Sequence, residues 1–145
     1  MHTRHPEATD VPAVKALIDL YVPTGTLLPR SEEFIAAHAH DFLVAVDGRR
    51  VVGCVHLDEY APSLAEIRSL AVDPSSQGMG VGAALVAAAE RLGRMRGFTT
   101  VFAVSNNDSF FRGRGYADRH IPELDLERSE VSRFKGVYAK ELADG

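Results

Sequence analysis

Cysteine is nearly absent from this chain: Cys54 is the only one in 145 residues. A lone thiol excludes an intrachain disulfide and makes a reducing compartment the default. No apolar run approaches the ~20 residues that span a bilayer. Met1-His2-Thr3-Arg4-His5-Pro6 leads into no signal-like apolar core. The expected location is therefore the cytoplasm. A cationic excess is also lacking, since 16 Lys and Arg stand against 20 Asp and Glu, a formal net charge of −4. That balance argues against broad binding to nucleic acid or to an anionic membrane, while leaving room for a local basic pocket. Repeats, linkers and low-complexity segments are absent. What remains, 46% hydrophobic and 25% charged residues, is the composition of one globular domain, residues 1–145, with a real core.

The chain is organised around Glu66 to Gly82, EIRSLAVDPSSQGMGVG. Glu66–Val72 reads as an apolar strand. Asp73-Pro74-Ser75-Ser76 breaks it, because Pro has no N–H for a ladder and Asp and Ser favour turns. Beyond the glycines, Val81, Leu85, Ala88 and Leu92 recur at helical spacing. A helix start carries unbonded N–H groups and partial positive charge, and glycines before it admit close approach of a ligand. The loop Gln77-Gly78-Met79-Gly80-Val81-Gly82 therefore suits a phosphate or pyrophosphate. On local pattern alone it suits a plain connecting turn equally well. It is no Walker loop, because no Lys-Ser/Thr follows, and it carries only part of the GxGxxG fingerprint.

Around this stretch the reading is coarse. A short strand at Thr3-Arg4 precedes a helix capped at Thr9 or Asp10, with Val14, Leu17, Ile18 and Tyr21 on its apolar face and Pro23-Thr24-Gly25 after it. Ser31 caps a second helix. Asp47-Gly48 joins two strands, Asp41–Val46 and Arg50–Leu57, as a hairpin. Tyr60-Ala61-Pro62-Ser63 reads as a loop. Gly97 follows the main helix. Then come a strand at Thr99–Val104, a short helix at Ser109–Arg114, a strand starting at Tyr116, and a last strand at Phe134–Leu142. Helices on both faces of a mostly antiparallel sheet make an α+β domain.

Gln77, Gly80 and Gly82 match Q/R-x-x-G-x-G/A, and Leu-Ala-Val-Asp-Pro precedes them. In this motif, strand and helix the chain resembles the GNAT acetyltransferases. The resemblance implies a twisted sheet in which the Glu66–Val72 strand splays from the Thr99–Val104 strand, with acetyl-CoA in the gap. Leu70, Ala71 and Val72 would face the pantetheine, with the Leu70 N–H on the developing oxyanion. Gln77, Gly78, Met79, Gly80, Val81, Gly82 and Ala83 would hold the pyrophosphate. Asn106 and Phe111 match further cofactor positions, although Asn106 is equally a turn former. Phe111 stands where the family usually has a tyrosine that protonates the leaving thiolate, a role Phe cannot fill. Tyr116 matches a packing aromatic.

Glu66 is the expected base, with a solvated strand-end carboxylate as the bland alternative and Glu59 and His56 as weaker candidates. Gly25-Thr26-Leu27-Leu28-Pro29-Arg30-Ser31, Gly53-Cys54, Phe110-Phe111 and the tail from Ser132 to Tyr138 are similar to the transferase domain of N-acetylglutamate synthases. Arg30 and Arg133 match that subfamily's substrate arginines, and Arg68 shares a strand face with Glu66 by two-residue alternation. Lys135 stands where a Ser is usual. A dicarboxylic amino acid needs cations, and Arg grips a carboxylate bidentately. The resemblance implies acetyl transfer to the α-amine of L-glutamate, opening arginine biosynthesis. Longer members carry an amino-acid-kinase-like domain, and these residues are expected to form the transferase unit alone. The expected partner is a small amino acid, without nucleic acid or membrane, and a homodimer is a permitted assembly. Rival readings are another acceptor amine, a non-catalytic acyl-CoA sensor and, more distantly, a dinucleotide-binding domain. His38, His40 and Asp41 have no usual metal spacing, so no metal is expected. Cys54 reads as a buried small residue.

Overall fold

The computed structural model describes residues 1–124 and 135–142. Among them seven strands form one twisted sheet. These are β1 (His2–Arg4), β2 (Phe42–Asp47), β3 (Arg50–Ala61), β4 (Leu64–Val72), β5 (Thr100–Ser105), β6 (Ala117–Asp118) and β7 (Gly136–Glu141), in the order β1-β2-β3-β4-β5-β7-β6. All neighbours pair antiparallel except β4 and β5, which run parallel. The fold is α+β. Among the described residues no helix is long and apolar enough to cross a membrane.

Helices cover both faces. On one, α1 (Val11–Asp19) and α2 (Glu32–Ala37) bury Val14, Leu17, Ile18 and Ile35 against Phe42, Val44, Cys54 and Ala71. On the other, α3 (Val81–Met95) presses Leu85, Val86, Ala89 and Leu92 onto Val55, Leu57, Ile67 and Val101. Each fully buried Leu or Val side chain contributes roughly 1.5–3 kcal/mol. Gly53 lets α3 settle this close, because a Cβ there would lie 2.8 Å from both Val81 and Leu85 side-chain atoms. The short α4 (Asp108–Gly113) adds Phe111 to the same side.

Local signals and tertiary context part company at several boundaries. Ser31 caps α2 as expected, accepting from the Phe34 N–H at 3.0 Å. Asp10 precedes α1 but does not cap it with its side chain. Its carboxylate instead accepts the Glu7 N–H at 2.7 Å and an Arg4 Nη1–H at 2.6 Å. A 3-10 turn at Ala8–Asp10 runs straight into α1 and supplies the helix entry. α1 stops at Asp19, short of Pro23, so Tyr21 lies in the following turn rather than on the helix. Tyr60 and Ala61, expected in a loop, extend β3, and only Pro62-Ser63 makes the turn, with Ser63 at φ 65°. The last strand begins at Gly136, and Phe134 lies outside the described residues.

Candidate active site

β4 builds the site through a bulge on one edge and a lost partner on the other. Arg68 pairs with His56 and Ala71 with Cys54, so Ser69 and Leu70 stand opposite the single residue Val55. Ser69 adopts φ 53°, a conformation that costs a non-glycine residue about 1–3 kcal/mol and persists where the surroundings enforce it. The extra residue resets the alternation. Ile67 packs with α3, yet Ala71 packs with α1. Glu66 and Arg68 thus face the α1–α2 side, while Leu70 and Val72 lean towards α3.

On the far edge, β4 and β5 pair only at Leu64–Thr100, Ala65–Val101 and Glu66–Phe102. Past Glu66 the strands separate and a cleft of about 1030 Å³ opens between them. The Asp73 N–H donates to the Val52 carbonyl of β3 at 2.8 Å. Strand alternation then aims the Leu70 and Val72 N–H groups the other way, into the cleft. The Val72 carbonyl accepts from the Tyr21 hydroxyl, whose oxygen accepts from Gln77 Nε2 at 2.9 Å. Tyr21 therefore ties the turn after α1 to both β4 and the glycine loop.

That loop ends in Gly80, which precedes α3 at φ 79°, and Gly78 sits at φ 81°. No side chain caps α3, so its first-turn N–H groups and positive end face the cleft. Gly82 sits close under Phe110: a Cβ there would lie 3.3 Å from the ring, which would have to give by a few tenths of an ångström.

At the other end of the cleft the charged side chains gather. Arg68 Nε lies 3.7 Å from Glu66 Oε1, and Arg68 Nη1 donates to Asp58 Oδ2 at 3.4 Å. Asp58 is the cross-strand partner of Glu66. Burial pushes the Glu66 carboxyl up to about 7, against the pull of Arg68 and Arg30 and with added push from Asp58. Arg30 stacks its guanidinium 5.2 Å over the Phe34 ring and donates Nη1–H to the Pro29 carbonyl at 3.0 Å. Its Nε is buried without a partner among the described residues. Burial and then repulsion from Arg68 lower the Arg30 pKa. A guanidinium so placed invites an anion. Lys135 Nζ bonds the Gly25 and Thr26 carbonyls at 3.1 Å each, joining the start of β7 to the loop after α1.

Folding thus brings Arg30, Glu66 and Arg68 to one end of the cleft. Leu70, Val72, Gln77, Gly78, Gly80, Val81, Gly82, Ala83, Asn106 and Phe111 also line it. Two expected contacts differ. The bulge turns the Ala71 side chain into the α1 core, and Met79 points to solvent at 67% exposure, outside the cleft lining. Arg133 lies outside the described residues. Phe111 is buried and stacks on Tyr138. Tyr116 packs against Phe111 and donates to Glu90 Oε2 at 2.7 Å. Burial and Glu90 push its phenol up, as suits a packing residue.

The weaker base candidates fall away. Glu59 is exposed and outside the cleft lining. His56 is 1% exposed and stacked 4.5 Å from Phe42, and burial pushes its imidazole down to about 4. Neither ring nitrogen has a partner among the described residues, at a cost of about 1–3 kcal/mol for each unpaired group. Cys54 is fully buried and its thiol is pushed up to about 12 by burial, so it is inert. Sequence reasoning missed Asp58, the bulge at Ser69 and the tie made by Tyr21.

The model of the acetyltransferase (GNAT) family matches residues 13–116. An uncharacterised N-acetyltransferase of Chlorobaculum tepidum is 36% identical over 115 residues, covering 79% of this chain and 74% of that protein. An amino-acid acetyltransferase of Neisseria meningitidis is 32% identical over 135 residues, or 92% of this chain, and the chain spans 31% of its length. N-acetylglutamate synthase from Neisseria gonorrhoeae, solved with coenzyme A and N-acetyl-glutamate, has a TM-score of 0.84 at 28% identity, covering 97% of this chain and 35% of that one. The matched span runs from α1 through the bulged strand, the glycine loop and α3 to Tyr116, and the chain belongs to the GNAT family of acetyltransferases.

Proposed function

We propose that this acyltransferase moves acetyl from acetyl-CoA to the α-amine of an acidic amino acid, with L-glutamate first, as the opening step of arginine biosynthesis. The observation that carries the acceptor class is Arg30: a buried Nε without a partner among the described residues, beside Arg68 and Glu66. An acceptor carboxylate satisfies that donor and relieves the repulsion between the guanidiniums.

The cleft suits the donor. The Leu70 and Val72 N–H groups form an edge to which a pantetheine amide can bond as a strand would. The α3 N-terminus and its glycines suit a pyrophosphate. Acetyl-CoA supplies the thioester, and the chain's own groups do the rest. Glu66 takes a proton from the acceptor ammonium, directly or through water. The amine nitrogen bonds to the thioester carbon, and the Leu70 N–H supports the oxyanion, a contribution of ~3 kcal/mol for such a donor. The C–S bond then breaks, and the thiolate takes, directly or through water, the proton that the nitrogen sheds as the amide forms, because residue 111 carries no hydroxyl.

Gly80→Val tests the pyrophosphate assignment. At φ 79° an L side chain costs about 1–2 kcal/mol, and no protein atom lies within 4 Å of its Cβ. The expected result is a KM for acetyl-CoA raised about tenfold, with the acceptor KM unchanged. An unaltered acetyl-CoA KM would move the pyrophosphate elsewhere.

The acceptor is tested by CoA release from acetyl-CoA across glutamate, glutamine, aspartate, ornithine, spermidine and a short peptide. Turnover led by glutamate is expected. Turnover led by glutamine or a polyamine would keep the transferase and replace the acceptor. Acetyl-CoA binding without turnover on the whole panel would favour the sensor reading.

A further inference from the structure

Outside the cleft, one cluster carries chemistry that acyl transfer does not use. His38 follows α2, Asp41 ends the 3-10 turn before β2, and His56 stands within β3. One ligand atom from each lies within 4.8 Å of the other two, the one such cluster among the described residues. His38 Nδ1 is 3.3 Å from Asp41 Oδ2. The other oxygen, Asp41 Oδ1, accepts from Arg96 Nη1 at 2.6 Å, and Arg96 Nη2 also donates to the His40 carbonyl at 2.7 Å. The carboxylate is thereby anchored from behind, as ligating carboxylates are.

His56 makes the cluster more than a chance grouping. Its ring is almost wholly buried, with neither nitrogen bonded to a described residue. Phe42 stacks on one face and Phe34 meets the ring edge-on at 5.7 Å between centroids, so packing sets its orientation. An aliphatic side chain would fill this strand position without orphaning two polar atoms.

We propose that His38, Asp41 and His56 bind one divalent transition-metal ion of the zinc class. Two imidazoles and a single carboxylate suit zinc, cobalt or nickel. Magnesium and calcium call for oxygen donors throughout. Three protein ligands leave a fourth position for water. Ligand bonds of about 2.0–2.2 Å set tetrahedral donors about 3.3–3.6 Å apart, a spacing that His38 and Asp41 already have at 3.3 Å but that the cluster as a whole, spread over as much as 4.8 Å, has still to reach. His38, part-exposed at the end of a short helix, can close that distance by side-chain rotation. The ion would fasten α2 to β3. It would sit behind the charged end of the cleft, since His56 pairs with Arg68 across the strands and Phe34 separates it from Arg30.

The test uses the untagged full chain, stripped with a chelator and titrated with Co²⁺ and Zn²⁺. One Co²⁺ per chain is expected, with the visible absorption of a four-coordinate site and displacement by Zn²⁺. Saturating Zn²⁺ should raise the thermal midpoint by roughly 5 °C. His38→Ala and Asp41→Asn should each weaken Co²⁺ binding at least tenfold while keeping the far-UV circular dichroism of the parent. No stoichiometric binding by the parent would overturn the assignment. So would parent-like affinity in either variant, which would place the metal on other histidines.

Discussion

Glu66→Gln is expected to lower kcat near neutral pH by about 10²-fold or more and to remove the acid limb of the pH–rate profile. The carboxyl is pushed up to about 7 chiefly by burial, close to the operating pH where a general base works best. Only the carboxylate form accepts a proton, so kcat/KM should rise with pH through about 7 and then level off. Glutamine keeps the volume and cannot take the proton. The neighbours make the test sharper. Asp58 raises the Glu66 pKa and also holds Arg68 at 3.4 Å. Asp58→Asn removes a like charge and releases Arg68 towards Glu66, so the acid limb should move to lower pH. An acid limb that persists in Glu66→Gln would exclude Glu66 as the base, whatever happened to kcat.

The second large effect is expected at Arg30. Arg30→Ala should raise the KM for glutamate by about 10- to 100-fold, in line with the ~1.5–3 kcal/mol of a charge-assisted hydrogen bond. The KM for acetyl-CoA should stay as it is. Arg30 is a cleaner probe than Arg68, which is directly ion-paired with both Glu66 and Asp58. Loss of the guanidinium leaves the Phe34 ring and the Arg68 charge in place. The penalty should therefore follow acceptor charge, being large for glutamate and small for a neutral amine. Equal acceptor kinetics in Arg30→Ala and parent would remove the acidic-acceptor assignment.

Much of the fold was legible because its signals are local. Asp47-Gly48 specifies a hairpin within a few residues, and Gly48 indeed takes φ 63°. Gly78 and Gly80, placed before an amphipathic run, announced the loop and α3, and both adopt positive φ. Ser31 before two glutamates announced α2. Phe111 was readable as a missing hydroxyl from its motif position alone. Boundaries slipped where a long-range contact outweighed local preference. Tyr60 looked like loop beside Pro62, yet its ring packs edge-on against Phe102 of β5, and β3 extends to carry it there.

The sequence by itself determined the family, the order of strands and helices, the glycine loop and the placing of Glu66 and Arg68 on one strand face. Each depends on spacing within a few residues, which a linear chain displays directly. Only the tertiary structure decided what meets that face. Counting outward from the Pro62-Ser63 turn, where Ala61 pairs with Leu64, would set Asp58 against Ile67. An irregularity between Glu59 and Ala61 moves the register by one and sets it against Glu66. The bulge at Ser69 moves it back and sends Ala71 into the core. A shift of one residue exchanges the faces of a strand, and nothing local records it. The approach of Arg30 to Arg68 and of Asp41 to His56 joins segments distant in the chain, so those clusters exist only once the sheet and both helix layers have closed around them.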